Sequence, residues 1–111
     1  DDFIGHIGGD DFVIITKSER DKIISQKIIE KFNSNINQFF NQEDKQRGYM
    51  IGKDRQNNSY QAPLTSLSIA IVSSKQRKIT SPVQVSDIAA EIKQCVKKKS
   101  GSNFMKDRRK D

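Results

Sequence analysis

The chain has 111 residues, of which 33% are hydrophobic and none is Trp, so it has room for one domain with a small core. Its single cysteine excludes an internal disulfide bond, and no apolar run approaches the roughly 18 residues of a membrane-spanning helix. We therefore expect a cytoplasmic protein, whose net charge of +6 favours polyanionic partners such as nucleotides, nucleic acid or acidic membrane surfaces.

The first elements along the chain predict a β-hairpin over residues 3–16. Two apolar runs, residues 3–7 and 12–16, flank the sequence GGDD at residues 8–11. Glycine supplies the positive φ that tight hairpin turns need. The nearly continuous β-branched run FVIIT is typical of a strand buried on both faces.

A long amphipathic helix is predicted over residues 19–41. Ser18 precedes it as a candidate N-cap. The apolar residues that recur at every fourth position are Ile24, Ile28, Phe32, Ile36 and Phe40, and those that widen this stripe are Ile23, Ile29 and Phe39.

Residues 42–63 are polar and rich in turn-forming residues, which predicts an exposed insertion, either a loop or a small hairpin around residues 49–51 and Tyr60. The sequence then returns to a strand pattern over residues 64–74. Leu67, Ile69 and Ile71 alternate there with smaller side chains.

A second helix is predicted over residues 82–100. Ser81, Pro82 and Gln84 occupy the preferred cap, first-turn and capping-box positions. Three lysines at residues 97–99 fall in its last turn, and Gly101 is a candidate C-terminal cap. A basic tail over residues 102–111 follows, in which SNFMKD favours a last short strand. This order of elements indicates an α+β fold with helices on one face of a largely antiparallel sheet.

Three stretches together resemble one known family. DDFIGHIGGDDFVII resembles the signature hairpin of GGDEF domains, the diguanylate cyclases that condense two GTP into cyclic di-GMP. LSIAIVSS is similar to the family's strand after its long helix, and AAEIKQCVKKKSGSN resembles its last helix. The resemblance implies the C-terminal half of a GGDEF domain, that is, a partial nucleotidyl-cyclase-like (ferredoxin-like) fold without the first strand and first helices.

The resemblance also implies a set of site residues, with the family motif on residues 8–12. Asp10 corresponds to a metal-binding carboxylate for Mg²⁺, and Asp10 and Asp11 would be the catalytic acids. Lys98 falls on the lysine that reaches towards the GTP phosphates, although a surface lysine that complements the helix dipole is an equal alternative. The motif residues that would lie against the nucleotide are Gly8, Gly9 and Phe12.

Four departures from the family pattern lower the expected activity. Asp11 stands where the family has the longer Glu, and Ser102 stands where it commonly has a phosphate-facing Arg. His6 stands where an Arg often precedes the motif, and a structural role suits this lone strand histidine better than a catalytic one. The partner carboxylate of the family's first strand has no counterpart, so we expect Mg²⁺–GTP binding by this chain to be weak or absent.

Three functions follow as hypotheses. In the first, the chain belongs to a bacterial diguanylate cyclase that dimerises and is either free in the cytoplasm or tethered to a membrane. In the second, which the departures favour, it is a degenerate GGDEF module that binds GTP or cyclic di-GMP and regulates an attached or partner phosphodiesterase domain. The third, a basic nucleic-acid-binding module, has only the lysine- and arginine-rich C-terminal segment to support it.

Overall fold

The computed structural model describes residues 2–99 and 101–109, and over these residues the mixed α+β class is confirmed. Short 3₁₀ turns at Ser18–Arg20 and Asn37–Phe39 flank the first helix. The elements in chain order are β1 (Phe3–Gly8), β2 (Asp11–Ile15), α1 (Asp21–Ile36), α2 (Gln42–Arg47), β3 (Tyr49–Lys53), β4 (Ser59–Pro63), β5 (Ser68–Ile71), α3 (Pro82–Lys97) and β6 (Asn103–Lys106).

The described strands pair in three separate two-stranded sheets, which differs from the single, largely antiparallel sheet that the sequence predicts. The β1–β2 and β3–β4 hairpins are antiparallel, whereas β5 and β6 run parallel. The parallel pairing follows from the connection, because α3 carries the chain back along the sheet before β6 begins. The predicted last strand and the predicted small hairpin in the insertion are both confirmed.

The core lies between α3 and one face of the β5–β6 pair. Ile88, Ile92 and Val96, spaced one helical turn apart, are at most 6% exposed. The side chains that pack against them come from β5, from β6 and from the segment between β5 and α3: Ala70, Met105, Val72 and Ile79. Burial of this one helix face is the main apolar contribution to the fold.

Helix α1 lies on the other face of the β5–β6 pair, so the prediction that both helices share one face is wrong. Lys106 follows Met105 in β6 and therefore points away from α3. Its Nζ lies 2.6 Å from Oδ2 of Asp21 in the first turn of α1. The parallel connection through α3 leaves the second face of the pair open for α1.

Helix α1 is shorter than the predicted segment of residues 19–41. Ser18 does not cap it, because the Ser18 hydroxyl forms a 2.9 Å hydrogen bond with that of Ser73. At its other end Asn41 starts a new helix, accepting a 2.7 Å hydrogen bond from the backbone N–H of Asp44. The predicted apolar stripe is incompletely covered, since Ile23 and Phe39 are 55% and 74% exposed.

The β1–β2 hairpin has the predicted bounds but lacks the predicted burial. Phe12 and Ile15, which point to opposite faces of β2, are 68% and 61% exposed. Both faces of the hairpin are therefore in contact with solvent. The FVIIT run indicates a strand correctly, whereas its burial depends on neighbours that the described residues do not provide.

The start of α3 matches the predicted cap. The backbone N–H of Gln84 donates to Oγ of Ser81 over 3.2 Å, and Gln84 Oε1 accepts from the backbone N–H of Thr80 over 2.7 Å. The helix ends at Lys97, with Lys98 as its C-cap. Gly101, at φ 76°, lies in the turn before β6 and is not the cap. Residue 100, the last of the predicted helix, lies outside the described residues.

The predicted basic tail is partly ordered by one buried acid. The Asp107 side chain is 1% exposed and lies 3.1 Å from Nε of Arg109 and 3.4 Å from Nη1 of Arg77. Its backbone N–H donates to the carbonyl of Ile71. These contacts hold the chain beyond β6 against β5. Residues 110 and 111 of the predicted tail lie outside the described part of the chain.

Within residues 2–99 and 101–109, none of the helices combines the length and the apolar character needed to cross a membrane.

Candidate nucleotide-phosphate site

The turn between β1 and β2 exposes bare backbone. Gly8 and Gly9 have φ of 154° and 53°, and a Cβ added to either would meet open space. Nε2–H of His6 donates to the carbonyl of Gly9 over 2.9 Å, and the His6 ring stacks on Phe12 at 4.6 Å between ring centroids. The contacts of His6 are thus within the hairpin, which agrees with the structural role that the sequence favours, and neither glycine carries a side chain that covers the turn.

Asp11 is joined to helix α3. Nζ of Lys93 donates to Oδ1 of Asp11 over 2.9 Å. This hydrogen bond, together with the charges of Lys93 and Lys97, holds the pKa of Asp11 below its ordinary value. The carboxylate is therefore ionised at neutral pH and neutralised by a lysine, which reduces its capacity to serve as a metal ligand.

Asp10 is exposed and makes no hydrogen bond or ion pair with the described residues. In residues 2–99 and 101–109, no three His, Cys, Asp or Glu side chains come together as a metal site would require. Proteins usually hold Mg²⁺ through one or two carboxylates, with water and substrate phosphate oxygens as the other ligands. Because one carboxylate of the turn is paired with a lysine and the other stands alone, the turn does not fit a resident Mg²⁺ ion.

A shallow cavity of about 550 Å³, open to solvent, lies at the carboxyl end of α3. Its wall includes three consecutive lysines, Lys97, Lys98 and Lys99. The polar lining residues are Asn33, Asn37, Thr65, Ser66 and Ser102, and the large apolar ones are Ile36, Phe40 and Leu64. Cationic side chains beside hydroxyl and amide donors form a surface suited to phosphate oxygens.

Ser102 positions the wall of this cavity. It accepts a 3.0 Å hydrogen bond from the backbone N–H of Leu67 and donates one of 2.8 Å to Oδ1 of Asn33. One hydroxyl therefore links α1, the segment before β5 and the segment before β6. Ser102 is therefore a structural link in this wall and contributes no charge to it.

Lys97 lines the cavity, and its positive charge also contributes to the lowered pKa of Asp11. Of the predicted site residues, Lys98 lines the cavity, whereas the five residues 8–12 do not. The sequence interpretation considered Lys97 and Lys99 as equal alternatives to Lys98, but it missed Lys93 and Asn33. The i, i+4 spacing of Lys93 and Lys97, which places them on one helix face, is a signal for Lys93.

A scan against protein-family models, a search of curated proteins and a search of solved structures each find no match to this chain.

Proposed function

We propose that this chain is a degenerate GGDEF module of a cyclic di-GMP signalling protein, which binds the phosphate groups of a guanine nucleotide without converting it. The observation that supports this proposal best is the cavity at the carboxyl end of α3, which is lined by Lys97, Lys98 and Lys99. A module of this kind acts by binding, and its regulatory target would be an attached or partner phosphodiesterase domain.

The acidic residues favour binding over catalysis. A cyclase must activate a ribose hydroxyl and stabilise charge that develops on phosphorus. Asp11 is committed to Lys93 at 2.9 Å, which leaves Asp10 as the one unpaired carboxylate of the turn. The lysines, in contrast, place positive charge at the wall of the cavity, where it can attract a phosphate group.

We expect weak, salt-dependent binding of GTP. The lysines are exposed, and contacts between exposed charges are screened by solvent and salt. The expected dissociation constant is on the order of 0.1 to 1 mM at low salt, which corresponds to about 4 to 5.5 kcal/mol. Binding should persist when Mg²⁺ is removed with a chelator.

Calorimetric titration of GTP and of cyclic di-GMP into the chain tests the proposal. Lys98→Ala should weaken binding about three- to fivefold, as expected for loss of one exposed charge contact. Lys27→Ala removes the same charge from an exposed site on α1 that does not line the cavity and should leave the affinity unchanged.

Three results would contradict the proposal. The first is the absence of binding for either nucleotide, and the second is equal weakening by the two lysine variants. The third is production of cyclic di-GMP from GTP and Mg²⁺ that Asp10→Ala abolishes, which would establish a cyclase. Binding of random-sequence DNA much more tightly than GTP would favour the nucleic-acid hypothesis instead.

A further inference from the structure

The side-chain amide of Asn33 lines the cavity at the carboxyl end of α3 and is held by Ser102. The Ser102 hydroxyl accepts a 3.0 Å hydrogen bond from the backbone N–H of Leu67. A hydroxyl has one proton to donate, and that of Ser102 is donated to Oδ1 of Asn33 over 2.8 Å. The oxygen of the Asn33 amide is therefore occupied within the protein.

The nitrogen of the same amide is left for a ligand. A side-chain amide has an accepting oxygen at one end and an NH₂ group with two donors at the other. Within residues 2–99 and 101–109, no acceptor is hydrogen-bonded to Nδ2 of Asn33. Asn33 is also exposed, so a ligand in the cavity can reach these donors.

The rest of the cavity wall determines which ligand suits this amide. Three lysines, residues 97–99, line the cavity, and no Asp or Glu in the described part of the chain does so. Positive charge without a nearby carboxylate attracts an anion, and an N–H donor then bonds one of its oxygens. A group with several anionic oxygens fits this combination of lysines and an oriented amide.

We propose that Asn33 is a phosphate-binding residue of this cavity and that Ser102 is its positioning residue. This inference rests on the proposed function, because it adds residues to the same site. It also defines the ligand class as a phosphate chain, so inorganic triphosphate should bind without a nucleoside attached. Ser102 acts by fixing which end of the Asn33 amide faces the ligand.

A nitrogen–proton NMR titration with inorganic triphosphate, in the presence of a metal chelator, tests the role of Asn33 directly. Such spectra contain the side-chain NH₂ signals of asparagine. The NH₂ signals of Asn33 should shift together with the backbone amides of residues 97–99. Asn35 is an exposed asparagine on the same helix that does not line the cavity, and its signals should stay unchanged.

The possible results separate this inference from the proposed function. If the backbone amides of residues 97–99 shift while the NH₂ signals of Asn33 do not, the phosphate site is supported but the role of Asn33 is wrong. If none of these signals shifts at millimolar triphosphate, both the inference and the phosphate site are contradicted. Equal shifts at Asn33 and Asn35 would show non-specific binding and would also overturn the inference.

Two asparagine variants provide a matched comparison. Asn33→Ala should weaken triphosphate binding about three- to tenfold, the range expected for one lost hydrogen bond. Asn37 lies one helical turn further and lines the same cavity, but no hydrogen bond to a described residue fixes its side chain. Because an unfixed side chain loses rotamer freedom on binding, Asn37→Ala should weaken binding by less than about twofold. Equal weakening by the two variants would contradict a special role for Asn33.

The positioning role of Ser102 is tested by combining variants. Ser102→Ala should weaken triphosphate binding about threefold in the wild-type chain and cause no further loss in Asn33→Ala. Ser102→Thr keeps the hydroxyl and should retain the wild-type affinity. Thermal melting checks that each variant is folded at the temperature of the titration. A further loss in the double variant, or weakening by Ser102→Thr equal to that by Ser102→Ala, would show that Ser102 does not act through Asn33.

Discussion

Asp11 and Lys93 are 82 residues apart in the chain and are joined by a 2.9 Å ion pair. The pair fastens the open turn of the β1–β2 hairpin to helix α3. Lys97, one helical turn beyond Lys93, lines the candidate phosphate cavity. The charge of Asp11 is thus used to hold the turn on α3.

The first prediction concerns this ion pair. Lys93→Ala should release the turn from α3 and accelerate hydrogen exchange at the amides of β1 and β2 several-fold. The melting temperature should change little, because partly exposed ion pairs contribute little to global stability. Hydrogen exchange can be measured by mass spectrometry on this variant and on the control variant Lys27→Ala. Equal protection of the hairpin in both variants would show that the pair does not hold the turn.

The second prediction concerns the core. Ile92→Ala removes a side chain that is 6% exposed and should destabilise the chain by about 2–5 kcal/mol. With so few buried apolar residues, such a loss is a large part of the total stability. Ile23→Ala, at a position that is 55% exposed, should cost less than about 0.5 kcal/mol. Urea denaturation followed by circular dichroism measures both, and similar midpoints for the two variants would place the core elsewhere.

The third prediction concerns acid stability. Burial on its own would raise the pKa of Asp107, but hydrogen bonds from Arg109 and Arg77 outweigh it and hold the pKa below its ordinary value. When folding lowers the pKa of a carboxyl, its ionised form stabilises the folded state at pH values above the unfolded pKa of about 3.9. This stabilisation is lost as the pH falls through the pKa of the folded state. Asp107→Asn should therefore cost about 1–3 kcal/mol at pH 7 and much less at pH 2.

The matched control for this acid effect is Asp87→Asn, which changes an exposed aspartate on α3. The stability of this control variant should vary with pH in the same way as that of the wild-type chain. Thermal unfolding of the three proteins between pH 2 and pH 7 provides the measurement. A constant difference between wild type and Asp107→Asn at all pH values would rule out the ionised carboxylate as the source of the stability.

The fourth prediction concerns the cap of α3. Ser81→Ala removes the acceptor of the Gln84 N–H and should destabilise the chain by about 0.5–2 kcal/mol. Ser81→Asp keeps an acceptor at the cap and adds a favourable charge at the helix start, so it should retain wild-type stability. If both variants lose the same stability, the hydrogen bond is not the cause.

Local sequence signals predict the elements that local interactions determine. The Ser81 cap with Pro82 and Gln84 and the glycine turn of the first hairpin both appear where the sequence places them. Each depends on residues within one or two turns of each other. Such interactions can be read from spacing alone.

The sequence predictions that are wrong concern contacts between distant parts of the chain. Ser18 has the residue type of a cap but bonds Ser73, which is 55 residues away. The FVIIT run has the composition of a buried strand, but burial depends on which elements cover it. The same limit applies to the site, since neither the Asp11–Lys93 pair nor the Ser102–Asn33 link follows from a local pattern.

The most direct test of the proposed function is a nitrogen–proton NMR titration of the chain with GTP in the presence of a metal chelator. Binding as proposed shifts the amide signals of the cavity residues 97–99, Gly101 and Ser102. The same titration on Lys98→Ala should give the same pattern at higher GTP concentrations. Shifts confined to residues 106–109, or no shifts at millimolar GTP, would contradict a phosphate site at the carboxyl end of α3.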